Sequence, residues 1–388
     1  MQRITFKAPV FDQSGYATLC RNIVLALHRQ NTYEVVIEPV RWLNASNVPL
    51  ENEEDILLHS FEEKAYAEDY IQKMKEDIVI HASIALEFLT AYPQKKAMGF
   101  CMLETDFVPQ LWAQKMNLLN GVIVPSYFCM SSFMKSGVNV PIRTVPLGVD
   151  FDIFKPDGEK LLLDSDITTS FNFITVGQWT QLDRKNIGET FKIFLETFRD
   201  RNDVGLIAKV NNLGTGTTDK IQCIERLHQL RRSLGFTPNS GPKIYLVHGT
   251  MTQDEMARLY RNAHAFVLPS MGEAWGMPIL EAAASGLPVI TTGGTGAETF
   301  MNPEYSILLN YKWQQIPQRM YWQGVYEPHQ QMTMPDFSEF SRMMKRIVDK
   351  YDLAKDSAIK QREELVQREF TWKKTAENLM VAIEEMSQ

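Results

Sequence analysis

Cysteine is scarce in this chain of 388 residues and poorly placed for cross-linking. Cys20, Cys101, Cys129 and Cys223 lie far apart, with no Cys-x-x-Cys pair and no histidine cluster at metal-ligand spacing. That argues against a disulfide framework and a zinc-ribbon site and favours buried thiols in a reducing compartment. A basic surplus is also missing: 40 Lys and Arg stand against 47 Asp and Glu, a formal net charge of −7. A body built to hold nucleic acid is therefore not indicated, although a local basic groove stays open. No apolar run approaches the roughly 20 residues of a membrane span. Met1 to Val10 lacks an apolar signal core. The expectation is a cytoplasmic protein without stable membrane insertion.

What the chain does have is a rhythm of short apolar runs separated by helical patterns. Its length suits two domains of about 150 to 200 residues each. Candidate strands in the first half are Ile4–Ala8, Val35–Val40, Ile56–His59, Ile78–His81, Ala97–Leu103, Val122–Pro125 and Thr144–Leu147. Asp12 to Tyr16 reads as a loop and Ala17 to Gln30 as a helix, with Leu19, Ile23 and Leu27 on one face. Gly148 to Thr169 mixes turn residues, charge and Pro156 and reads as a linker. Strands recur at Phe173–Val176, Gly205–Val210, Ile244–Val247, Ala265–Leu268 and Val289–Thr291. The predicted class is α/β, with two Rossmann-like parallel-sheet domains facing a cleft, residues 1–155 and 156–365.

Chemistry concentrates in Pro269 to Glu298, read as strand end, glycine loop, helix, strand and second glycine loop. Pro278 suits a first helical position because it has no amide hydrogen to lose there. Amides at Gly276, Met277, Ile279 and Leu280 would then be open donors at the positive end of a helix dipole, a setting for phosphate. Glu273 in the loop and Glu281, placed in the first turn, would face the same space. An ordinary βα connection with two solvated glutamates fits the spacing equally well.

Glu273 and Glu281 together with Gly276-Met277-Pro278-Ile279-Leu280-Glu281 and Gly286 to Ile290 resemble the Glu-x7-Glu signature of retaining family 4 glycosyltransferases of the GT-B fold. The resemblance extends to Pro125-Ser126 and to Pro146–Asp150. It implies sugar transfer from a nucleoside diphosphate sugar to an acceptor hydroxyl with retention, with the C-terminal helix, residues 366–388, crossing back to the first domain. It assigns Glu281 to ribose hydroxyls, Glu273 to the donor sugar, and Lys185 with the Gly276–Leu280 amides to the diphosphate. Gln178 stands where relatives carry an arginine after Gly177, so Arg184 is the candidate for that charge. His248 and Lys209 are placed toward base and phosphate, and the Ser14–Gly15 loop and Glu104 toward the acceptor, where Glu104 reads equally as a helix cap. His59 and His81 each end an apolar run, and His81 is carried as a further candidate.

Two Asp-x-Asp matches, Asp150-Phe151-Asp152 and Asp164-Ser165-Asp166, read as turn chemistry. A metal-independent reaction without a cofactor is expected. The acceptor class is open, with DNA not indicated by the charge. A GT-B sugar-nucleotide epimerase and a non-catalytic sugar-nucleotide-binding module of the same fold are the rival readings. The aromatic stretch Asn310 to Met334 reads as an irregular insertion packed on the body.

Overall fold

The apolar runs become buried strands, and within each half of the chain they pair side by side in parallel. In the computed structural model of the protein, residues 1–12, 14–41, 53–63, 78–88, 96–163, 166–237 and 240–387 are described. The first sheet contains β1 (Gln2–Ala8), β2 (Tyr33–Pro39), β3 (Ile78–Ala82), β4 (Lys96–Phe100), β5 (Gly121–Val124) and β6 (Ile142–Thr144), in the order β2-β1-β3-β4-β5-β6. Ile4 of β1 pairs with Val35 on one side and Ile78 on the other. The second sheet contains β7 (Phe171–Gln178), β8 (Val204–Asn211), β9 (Lys243–Val247), β10 (Ala265–Leu268), β11 (Val289–Thr292) and β12 (Ile307–Leu309), in the order β12-β11-β10-β7-β8-β9. Strands covered by helices on both faces carry near-continuous apolar runs, and all four residues of β10 are 0% exposed.

The chain groups into two units, Met1–Gly148 with Trp322–Gln330 and Phe370–Gln388, and Val149–Tyr321 with Gln331–Glu369. In the first unit the C-terminal helix Trp372–Met386 packs on the helix Gly15–Arg29. A Cβ on Gly148 would lie 2.2 Å from the Trp372 amide nitrogen, so only glycine lets the returning chain come that close. Thr375 Oγ1 fastens the same helix by donating to the Pro146 carbonyl at 2.9 Å. All four cysteines are free and buried. Among the described residues no helix is long and apolar enough to cross a membrane.

Three expectations change. Ile56–His59 is helical, inside Glu53–Glu63. Its buried Leu58 and Phe61 are three apart, the spacing of a helix face, which a four-residue apolar run cannot reveal. His59 therefore ends no strand; its ring stacks on Phe11 at 4.3 Å. Thr144 is the last residue of β6, and Val145 to Leu147 run on outside the strand. The aromatic insertion is regular: β13 (Tyr311–Gln315) and β14 (Gln331–Pro335) form an antiparallel pair, with Trp313 opposite Thr333. Every residue of β13 is exposed, so no alternation of polar and apolar residues marks it in the sequence.

Candidate active site

In the second unit the chain runs outward from β7 through β8 and β9, then returns to the other side of β7 as β10. The strand order thus reverses between β7 and β10. Loops leaving the carboxyl ends of two such strands diverge and leave a crevice suited to ligands. Here those loops are residues 179–186 after β7 and 269–276 after β10.

The first loop is bent by two non-glycine residues with left-handed backbones, Asp183 (φ 41°) and Asn186 (φ 53°). Such conformations cost about 1 kcal/mol or more each and persist where side chains secure them. Asp183 accepts from the Ile187 and Gly188 amides at 2.8 and 2.9 Å, capping the helix Ile187–Thr197. Asn186 Nδ2 donates to the Pro269 carbonyl at 2.7 Å, and the Met271 amide donates to the Arg184 carbonyl at 2.9 Å. The two loops are thereby stitched together. Burial raises the Asp183 carboxyl above its usual range, against the lowering effect of those two amides and of Arg226 and Arg319.

This stitching brings three predicted side chains together. Lys185 Nζ lies 2.9 Å from Glu273 Oε1, and Arg184 Nη1 lies 3.6 Å from the same oxygen while donating to the Gly272 carbonyl. Glu273 is 5% exposed. Burial alone would raise its carboxyl, yet Lys185 and Arg184 outweigh burial and hold it below the ordinary range. One carboxylate faces two cations, so the cluster keeps a net positive charge. Gly177 lies inside β7 rather than after it. A Cβ there would sit 2.6 Å from Lys185 Cδ, so the bare backbone makes room for the lysine stem.

The helix Met277–Ala284 begins at Gly276, whose φ of +98° suits glycine and where a Cβ would meet Ile279 Cδ1 at 2.9 Å. The Ile279 and Leu280 amides both donate to the Gly276 carbonyl, at 2.9 and 3.1 Å. These two are consequently not open donors, because the helix closes its own first turn over them. Gly276 caps that turn and Met277 is its first helical residue. Glu281 falls in the second turn, not the first. Its Oε2 accepts from the Tyr260 hydroxyl at 2.9 Å. Burial pushes this carboxyl up to about 7, against the lowering effects of Tyr260 and Lys185. Behind the loop, the Gly296 amide donates to the Glu273 carbonyl at 2.7 Å, and Glu298 accepts from the Gly294 amide at 2.6 Å.

His248 and Lys209 serve the loop after β9. His248 Nε2 is 2.8 Å from Asp219 Oδ2, and its side chain is 2% exposed. Lys209 lies within β8, 8% exposed, and donates to the Gly249 carbonyl at 2.6 Å; burial lowers its pKa to about 8. Among the described residues Asp219, Cys223 and His248 bring ligand-type atoms within 4.8 Å of one another. Asp219 there already accepts from the Asn212, Leu213 and Gly214 amides.

Four predicted residues belong to the first unit. Ser14 caps the helix Gly15–Arg29 by accepting from Ala17 at 3.0 Å, and a Cβ on Gly15 would meet nothing within 4 Å. Gln13 of the same loop lies outside the described residues. His81 sits in β3 at 1% exposure, edge-on to Phe88, and burial followed by Lys7 and Lys115 lowers it to about 4, which makes it a neutral imidazole. Glu104 accepts from the Tyr326 hydroxyl at 2.8 Å. It caps no helix: the next one, Gln110–Met116, starts at Pro109 without a side-chain cap.

Asp150 Oδ1 accepts from the Asp152 and Ile153 amides at 2.9 and 3.3 Å, closing a turn. The second Asp-x-Asp, at 164–166, has its first two residues outside the described ones. Sequence reasoning missed Asp183, Asn186 and Tyr260. An Asp a few residues before an apolar helix is a readable cap signal. The other two act through long-range contacts that leave no local pattern.

Residues 171–314 match the family model described as Glycosyl transferases group 1. Serotype-specific mannosyltransferase WbdA of Escherichia coli is 29% identical over 158 residues, which make up 39% of this chain and 18% of that relative. Among solved structures, sucrose-phosphate synthase from Thermosynechococcus elongatus superposes with a TM-score of 0.68 at 16% identity, covering 100% of this chain and 99% of that one. Anabaena Alr3699/HepE in complex with UDP-glucose gives 0.67 at 14% identity, covering 99% and 100%. The segment that matches the group 1 glycosyltransferase model, about a third of the chain, holds Arg184, Lys185, Tyr260, Glu273 and Glu281, and the two parallel six-stranded sheets give the chain the GT-B fold of these solved structures.

Proposed function

We propose that this protein is a retaining glycosyltransferase that moves a sugar from a nucleoside diphosphate sugar to an acceptor hydroxyl without a metal ion. The observation that carries this reading is the cluster at the β7/β10 switch point: Arg184 and Lys185 around Glu273, with Glu281 in the helix that follows. Two cations against one carboxylate leave a charge for a diphosphate to neutralise. The same cations would stabilise the negative charge that grows on the leaving phosphate as the bond from the sugar's anomeric carbon breaks. The acceptor oxygen would bond to that carbon from the face the phosphate leaves, its proton passing to the departing phosphate oxygen. Both bond changes occur on one face, and the configuration is kept.

Glu281 is assigned to the ribose hydroxyls, Glu273 to the donor sugar, and Lys185 with the Gly276 and Met277 amides to the diphosphate. Ser14, Gly15 and Glu104 are the acceptor-side candidates. The WbdA name supports a hexose as the transferred group, and the UDP-glucose held by HepE supports a nucleotide-sugar donor. A thermal-shift screen against nucleoside diphosphates and their sugars, with and without magnesium, tests the reading. Stabilisation by at least one of them without added metal is expected; no response to any of them under either condition would overturn it.

A further inference from the structure

The Glu281 carboxylate is held by a group that no motif of the chain marks. Tyr260 ends the helix Gln253–Tyr260, whose start is locked by a capping box between Thr252 and Glu255. Its side chain is 0% exposed. Its ring stands edge-on to Phe154 at 6.1 Å and tilted against Phe266 at 6.2 Å, so the phenol has no room to swing. The hydroxyl is 2.9 Å from Glu281 Oε2 and 3.2 Å from the Pro278 carbonyl. A phenol has one proton to donate, and a carboxylate is the stronger acceptor as well as the nearer one. Among the described residues no cation forms an ion pair with Glu281.

We infer that Tyr260 is a positioning residue for nucleotide binding, fixing Glu281 through Oε2 so that Oε1 is the oxygen that receives a hydroxyl pair of the bound nucleoside. The inference rests on the glycosyltransferase reading and deepens it. A hydroxyl that donates to the ionised carboxylate also favours the acceptor-only state that a diol requires. Tyr260 touches no ligand in this scheme and acts through Glu281.

Tyr260→Phe removes one oxygen and keeps the ring packing. Calorimetric binding of UDP, GDP and ADP is measured in wild type, Tyr260→Phe, Glu281→Gln and the double variant. The tightest of the three nucleotides is expected to bind about tenfold more weakly to Tyr260→Phe and less than twofold more weakly when the same change is made in the Glu281→Gln background. A second measurement needs no ligand: carbon NMR of protein labelled at the glutamate carboxyls, with Glu281→Gln to assign the signal. Removing the hydroxyl is expected to move the Glu281 titration upward. Equal loss of affinity in both backgrounds, unchanged affinity in Tyr260→Phe, or an unmoved titration overturns the inference. If none of the nucleotides binds wild type, the glycosyltransferase reading fails with it, and the NMR titration still decides whether the hydroxyl holds the carboxylate.

Discussion

Lys185 Nζ lies 2.9 Å from Glu273 Oε1, joining the loop after β7 to the loop after β10, and Arg184 Nη1 reaches the same oxygen from 3.6 Å. The carboxylate both holds the cations in place and neutralises half of their charge.

Glu273→Gln separates these two effects. Losing the negative charge leaves both cations for the ligand, so a nucleoside diphosphate is expected to bind about 3- to 10-fold tighter by calorimetry. Turnover is expected to fall by about 10²- to 10³-fold, because a group assigned to the reacting sugar is gone. Weaker nucleotide binding with unchanged turnover would contradict both roles.

Gly177→Ala tests Lys185 without touching it. The new Cβ would overlap the lysine stem, whose Cδ is 2.6 Å away, and a flexible side chain gives way before backbone does. The melting temperature should change little, while nucleoside diphosphate affinity drops about tenfold and affinity for the phosphate-free nucleoside is unchanged. Equal losses for nucleoside and diphosphate would show that the substitution disturbs more than the lysine.

Glu281 sets a pH dependence with opposite signs for binding and stability. Its carboxyl is raised from near 4.5 to about 7 by burial, so the folded protein holds that proton more tightly than the unfolded chain. Its contribution to stability is greatest below about 4.5 and is lost as pH rises through about 7. Glu281→Gln should thus be more stable than wild type at pH 8, by about 1–2 kcal/mol in urea unfolding, with the difference vanishing in acid. Nucleotide binding, for which the proposed function assigns the ionised carboxylate as an acceptor, should instead strengthen as pH rises through 7. A flat binding profile between pH 6 and 8 in wild type would remove Glu281 from the nucleotide site.

Two glycines make a matched pair. A Cβ on Gly296 would fall 2.0 Å from the Ala274 carbonyl oxygen, against backbone that cannot move without carrying Glu273 with it. Gly296→Ala is expected to cost about 2–4 kcal/mol of stability and most of the activity. A Cβ on Gly15 meets nothing within 4 Å. Gly15→Ala should leave stability unchanged or raised by up to about 1 kcal/mol, since it sits in a helix. A fall in transfer rate in that variant would then report a ligand against Gly15.

Much of the fold was legible because both sheets are parallel and buried, so most of their strands announce themselves as apolar runs between helical segments. The exceptions follow from that rule: Ile56–His59 is apolar but helical, and β13 is a strand with no buried face. Glu273 and Glu281 stood out in the sequence because glycines and Pro278 punctuate the segment that holds them, whereas Lys185 and the roles of all three were legible only through the resemblance to glycosyltransferases. The closure of the Ile279 and Leu280 amides over Gly276 depends on backbone angles that no residue pattern displays. Tyr260 stayed hidden for a related reason: it reads as one more apolar residue ending a helix, and its role comes from a hydroxyl that meets Glu281 only in three dimensions.

The most direct test of sugar transfer with retention is proton NMR of the products formed from a panel of nucleoside diphosphate sugars and saccharide acceptors, with Glu273→Gln as the control. Release of the nucleoside diphosphate is expected together with a new glycosidic linkage of the same anomeric configuration as the donor, formed in the presence of EDTA and absent from the Glu273→Gln reaction. A product of inverted configuration, or equal product from wild type and Glu273→Gln, would contradict it.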